Sequence, residues 1–244
     1  MASRVAWKTR TAGISGLGYD IRIGAFLGTF QSSGGRSTLS IAVDYVEKAD
    51  QLVEAGRFFF ERGWAPATSG NLSARLSDGS VAITVSGRHK GRLNRYDIMI
   101  VDASGRPLTG NRRPSAETLL HIALYRRNPE LGAVLHSHSV QATVLSLLEQ
   151  SELLLCHYEL LKAFPGINHH NQEVMVPIVA NDQDMTRLAD TVEQRLQQQP
   201  SAQGYLIAGH GLYSWGESVE AASQHIEAFE FLFECELLMR RVRG

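Results

Sequence analysis

The chain is poor in cysteine, in net charge and in long apolar runs, and each shortage removes a class of protein. Two cysteines, Cys156 and Cys235, in 244 residues cannot form a disulfide framework. They lie far apart with no C-x-x-C pair, which argues against a closed structural zinc site and fits a reducing, cytoplasmic setting. With 24 basic and 25 acidic residues the formal net charge is −1, so no field attracts nucleic acid or an anionic membrane. No stretch reaches the roughly 18 consecutive apolar residues of a bilayer span. The remainder, 43% hydrophobic and 20% charged, is ordinary globular composition with enough length for one sizeable domain.

Residues 1–40 differ from the rest: five Lys or Arg, one acid, many Gly and Ser, and no clear period. They read as a disordered extension ending in "QSSGGRST", and the short apolar "IGAFLGTF" lacks the cleavage pattern of a secretory signal. A single catalytic-sized domain is expected over 41–244. "IAVDYVEKADQLVEAGRFFFERG" has helical spacing and stops at Gly63. "NLSARL", "VAITVSG", "DIMIVDASG", "GAVLHSHS", "EVMVPIVA" and "GYLIAGHGLYSWG" read as strands with turns. "SAETLLHIALYRRNPE", with Ser115 as its cap, "VQATVLSLLEQ", "DMTRLADTVEQRLQQQ" and "SVEAASQHIEAFEFLFECELLMRRV" read as helices. Strands and helices alternate without a repeat, which predicts an α/β fold with a mixed central β-sheet flanked by helices.

What stands out is "GAVLHSHS", an apolar run finishing in two histidines. Alternation along a strand puts His136 and His138 on one face, about 7 Å apart, close enough to share an ion if the strand end curls. His210 closes another apolar strand between Gly209 and Gly211, where flanking glycines permit a close backbone approach. Three neutral imidazoles with an open position suit a catalytic divalent ion, zinc first by ligand softness. Spacing alone does not bring His210 to the other two.

The motifs "GNLSARL", "ITVSG", "PSAETLLHIALYRRNPELGAVLHSHS" and "IAGHGLYSWG" resemble, in order, those of the class II aldolase/adducin family. The resemblance spans roughly Val43 to Met239. It implies a class II aldolase-like fold, one Zn²⁺ per subunit held by His136, His138 and His210, a phosphorylated ketose as substrate, and a homotetramer with sites near subunit interfaces. Within the family the similarity is greatest to hydro-lyases that dehydrate a methylthio-substituted ketose phosphate in methionine salvage. "CHYELLKAF" and "VMVPIVAN" carry that distinction. The resemblance makes Glu159 the acid/base that moves a proton from carbon 3 and expels the carbon 4 hydroxyl. Glu117 matches an acid/base glutamate of the family's aldolases, or else ligates metal, orients water or supports the pocket. Phosphate contact falls by the same resemblance to Ser69, Gly70, Asn71, Ser86, Gly87 and Ser115, with Lys90 able to add charge. Ala116 stands where related aldolases commonly have a second serine, so one hydroxyl contact is missing. The other readings are a sugar-phosphate aldolase or 4-epimerase, and an adducin-like binding module without chemistry.

Overall fold

The computed structural model describes residues 38–108 and 111–243. The extension expected over residues 1–40 lies, up to residue 37, outside the described residues.

Helix α1 (Thr38–Glu61) ends at Gly63, whose φ of 77° lets Trp64 N donate back to Phe59 O and Gly63 N to Phe60 O. Strands β1 (Asn71–Arg75), β2 (Val81–Thr84) and β3 (Ile98–Val101) follow. Then come α2 (Thr118–Arg127), β4 (Ala133–Ser137), α3 (Val140–Leu148), β5 (Glu152–Cys156) and a helical turn over Glu159–Ala163. β6 (Glu173–Val179), α4 (Met185–Gln198), β7 (Gly204–Ile207), β8 (Gly211–Gly216) and α5 (Val219–Arg243) complete the chain. The strands form one mixed eight-stranded sheet in the order β3-β2-β1-β4-β8-β7-β6-β5, in which β6 and β7 alone run parallel.

Two expectations are corrected. α2 starts from Glu117 rather than Ser115, and the Glu117 side chain does not cap it. Ser115 instead accepts the Thr118 N–H and hydroxyl with its carbonyl, leaving the glutamate carboxylate to point elsewhere. β5 had no counterpart in the sequence reading: "ELLLC" is nearly all apolar, and only the alternate burial of Leu153 and Leu155 reveals a period of two.

β4 lies in the middle of the sheet between β1 and β8, and all five of its residues are buried. On one face Val134 joins Tyr205 and Tyr213, Leu120 and Tyr125 of α2, and Leu188, Val192 and Leu196 of α4 in one hydrophobic core. α5 packs on the other face, against β4 and β8, with α1 and α3 beside it. Burying each such aliphatic side chain contributes about 1.5–3 kcal/mol, so this apolar mass can carry a polar cluster at the end of β4.

β8 enters beside that end at Gly211, where a Cβ would sit 2.0 Å from the Ser137 carbonyl oxygen and 3.1 Å from His136 Cε1. Only glycine allows this approach. Gly211→Ala is expected to cost about 1–3 kcal/mol through overpacking, read as a fall of several degrees in Tm.

Candidate metal centre

The cluster is assembled from four places. His136 is the fourth residue of β4; its Nδ1–H donates to Leu212 O at 2.9 Å, which leaves the Nε2 lone pair facing the cluster. The Tyr213 ring stacks on it at 4.0 Å and 14°. His138 lies one residue beyond the strand, where its N–H leaves the ladder and donates to Trp64 O at 2.7 Å. The bend brings the two rings to 4.4 Å between centroids, closer than the roughly 7 Å of an extended strand.

His210 sits in the tight β7–β8 turn. Its N–H donates to Ile207 O, and Gly209 takes a φ of 63°. α3 clamps this turn: Gly209 N donates to Ser146 Oγ at 2.9 Å, and Thr143 Oγ1 donates to His210 O at 3.1 Å. The fourth group is Glu117 at the start of α2.

Donor atoms of Glu117, His136, His138 and His210 all lie within 4.8 Å of one another. His136 Nε2 is 3.4 Å from His210 Nε2 and 3.3 Å from Glu117 Oε2, and His210 Nε2 is 3.1 Å from Glu117 Oε1. Four ligands about 2.0–2.1 Å from a tetrahedral ion would stand about 3.3 Å apart, which these separations match. The longer bonds of Ca²⁺ and its preference for oxygen fit neither the spacing nor the donor set. Burial pushes His136 down to about 4 and His138 down to about 3, so both imidazoles are neutral at pH 7 and free to coordinate. Burial also pushes the Glu117 carboxyl up, but the imidazoles of His136 and His210 and the Tyr213 hydroxyl outweigh it and hold the group anionic. With His136 and His138 uncharged, the largely buried Glu117 carboxylate is a negative charge that a cation would balance.

Glu117 is also held from behind. Its Oε2 accepts from Asn71 Nδ2 at 2.6 Å and from Tyr213 Oη at 2.7 Å. His121 Nε2 hydrogen-bonds Asn71 Oδ1, and Ser73 Oγ lies 2.7 Å from His121 Nδ1 and 2.9 Å from Tyr125 Oη. The proton order follows from the carboxylate. Asn71 must turn its NH₂ toward Glu117, so its oxygen faces His121 and His121 must carry its proton on Nε2. Burial pushes His121 down to about 4, keeping it neutral for this role. Tyr213, Asn71 in this role and His121 as its support were not legible in the sequence: nothing local marks them, and only the register of β1, β4 and β8 with the helix of His121 packed beside them brings them together.

The other expected site residues occupy two neighbouring loops. Lys90 is 2% exposed, and its Nζ donates to Thr68 O at 3.0 Å and Arg88 O at 2.6 Å, tying the 66–70 loop to the 86–90 loop. Burial pushes it down to about 8, and Glu117 partly restores it. Ser86 and Gly87 are exposed, whereas Ser69, Gly70 and Ser115 are half-buried. Ser69 Oγ donates to Pro66 O, and Gly70 has a φ of 74° with His136 O where a Cβ would go. Asn71 differs from these, since both ends of its amide are taken by Glu117 and His121.

Glu159 is not brought into the cluster. Its side chain is 74% exposed and accepts from Lys162 Nζ at 2.6 Å, a contact that holds the carboxyl below its usual range. The preceding His157 has a φ of 68°, and Tyr158 Oη anchors the segment to α5 by donating to Glu236 Oε1 at 2.8 Å.

Residues 50–237 match the model of the class II aldolase and adducin N-terminal domain. The chain is 55% identical over 200 residues to a methylthioribulose-1-phosphate dehydratase of Methylococcus capsulatus, covering 82% of this chain and 98% of that one. It is 54% identical over 195 residues to one of Azotobacter vinelandii, covering 80% and 95%. Among solved structures, an L-fuculose-1-phosphate aldolase from Thermus thermophilus superposes with a TM-score of 0.67 at 26% identity, covering 82% of this chain and 98% of that one.

Removal of one imidazole tests the centre directly. His138→Ala should lower the stoichiometric divalent metal found by elemental analysis of the purified protein, while circular dichroism stays that of the folded chain.

Proposed function

The chain belongs to the class II aldolase and adducin family, and from that membership we propose that it is a zinc-dependent hydro-lyase that dehydrates 5-methylthioribulose 1-phosphate. The product is 5-methylthio-2,3-dioxopentyl phosphate, a step of methionine salvage. The observation that carries this reading is the cluster of Glu117, His136, His138 and His210, in a chain 55% identical to a methylthioribulose-1-phosphate dehydratase along 98% of that protein. The residues 41–244 act as one catalytic domain.

His136, His138 and His210 would hold the ion, and Glu117 fits as a fourth ligand that incoming substrate oxygens can replace. When bound, zinc supplies Lewis acidity at the ketose carbonyl and the adjacent hydroxyl. The protein does the rest. Glu159 removes the proton from carbon 3 and delivers it to the hydroxyl leaving carbon 4, so that water departs and the resulting enol relaxes to the diketone. Glu117, already bound by Asn71 and Tyr213, is poorly placed to shuttle that proton. The loops joined by Lys90 receive the phosphate: backbone N–H groups and hydroxyls of Ser69, Gly70, Ser86, Gly87 and Ser115 suit an anion, and the two carbonyls on Lys90 Nζ leave its third N–H available.

The exposure of Glu159 supports assembly. A proton-transfer carboxyl needs a shielded site, and this one is exposed next to Leu160, which is bare and lines one cleft with the likewise bare Phe231. A homotetramer that covers this surface and completes each site accounts for both. A monomer in analytical ultracentrifugation would contradict it.

The decisive assay offers the metal-loaded protein 5-methylthioribulose 1-phosphate and, separately, L-fuculose 1-phosphate. Water loss from the first supports the dehydratase, and carbon–carbon cleavage of the second would favour the aldolase reading. Glu159→Gln is expected to lower kcat by about 10²–10⁴-fold with zinc content unchanged. Near-normal turnover in that variant would transfer the acid/base role to Glu117. KM should rise as pH passes above about 8, because Lys90 loses its ammonium there. Lys90→Met should show a high KM at every pH, without that inflection.

A further inference from the structure

Ser137 and Ser139 alternate with the two histidines, and strand alternation sends them to the opposite face. There they meet Glu230 of α5, which is 2% exposed. Ser137 Oγ donates to Glu230 Oε1 at 2.8 Å, and the Ser139 hydroxyl lies near enough to this carboxyl to favour its charged form. Ser139 does a second job: its oxygen accepts the Ala142 N–H at 2.9 Å and caps α3. A hydroxyl has one proton and two lone pairs, so the proton goes to Glu230 and a lone pair to the helix.

Glu230 Oε2 is buried and has no hydrogen-bond partner. An unpartnered buried carboxyl oxygen costs stability, and an apolar residue of similar volume would remove that cost. What the carboxyl supplies instead is placement. His138 and Ser139 have left the β-ladder, which ends with Ser137 opposite Leu212. Trp64 O holds the bend on one side through the His138 N–H. Glu230 holds it on the other, hydrogen-bonded to the residue immediately before His138 and close to the hydroxyl of the residue immediately after.

We infer that Glu230 is a positioning residue for the metal centre, pinning the serines on either side of His138 so that strand β4 bends and delivers His136 and His138 to one ion. The inference rests on the metal reading above. Loss of the clamp lets the bend relax toward an extended strand, which spreads the imidazoles.

The test uses the full chain stripped of metal and titrated with Co²⁺, whose visible absorption reports ligand geometry, with Zn²⁺ affinity measured by competition. Glu230→Met should weaken Zn²⁺ binding by about 10–100-fold, the range for groups that orient metal ligands. It should also alter the Co²⁺ bands, while the Tm of the metal-free protein stays unchanged or rises. Glu230→Gln keeps an acceptor for both hydroxyls and should restore both affinity and spectrum. Ser137→Ala, which removes one of the two grips, should give a smaller loss of affinity in the same direction. Wild-type affinity and spectrum in Glu230→Met would overturn the inference while leaving the metal reading intact. Affinity losses that follow a fall in metal-free Tm equally in Glu230→Met and Glu230→Gln would assign Glu230 a purely structural role and overturn it too. Failure of the wild-type protein to bind either ion would remove both.

Discussion

One carboxylate among three converging imidazoles, at the buried end of a central strand, is the constraint around which the rest is arranged. His136 Nε2 and His210 Nε2 face each other at 3.4 Å, and the Glu117 charge has only hydrogen-bond donors behind it. Such an arrangement costs several kcal/mol in desolvation unless a cation sits within it. The apolar core beneath, from Val134 to the α2 and α4 helices, supplies the rigidity that keeps the donors converged.

The segment "HSHS" is written for both faces of the sheet at once. Its histidines turn toward Glu117 and His210, with His136 stacked on Tyr213; its serines turn toward α5. One residue beyond the ladder, the same segment becomes the cap of α3, and α3 in turn holds the turn that carries His210. Two ligands and the scaffold of the third therefore depend on four consecutive residues and the helix that follows them. Gly211 belongs to the same device, because β8 reaches Leu212 O to His136 only by passing against the Ser137 carbonyl.

The parts legible in the sequence were those with a local signature. A period of two or 3.6 was enough to anticipate a mixed sheet, and a strand ending in H-x-H a pair of converging imidazoles; that His210 joins them followed from the family resemblance and not from spacing. The cap of α2 was misplaced because Ser115 has the chemistry of a cap, while Glu117 owes its position to partners in β1, β4 and β8. The roles of Asn71, His121, Tyr213 and Glu230 escaped for a related reason. Nothing in the local pattern marks any of them, and the meaning of each comes from a neighbour 46 to 96 positions away in the chain. Register between strands and the choice of sheet face are tertiary facts, and no short window contains them.

On the proposed reading, the division of labour between the two glutamates follows from the same electrostatics. A carboxylate close enough to a cation to ligate it, and already accepting two hydrogen bonds, has its proton affinity lowered by every neighbour, so it serves poorly as a group that must gain and lose a proton at pH 7. Proton transfer calls for a second carboxyl outside that field. Glu159 meets the first half of this requirement by its distance from the Glu117 network; its exposure and its contact with Lys162 leave the second half, a shielded environment, to whatever covers the 157–163 segment. On the proposed reading, the metal-holding half of the site is complete within one chain, and the proton-moving half becomes competent only when that surface is closed.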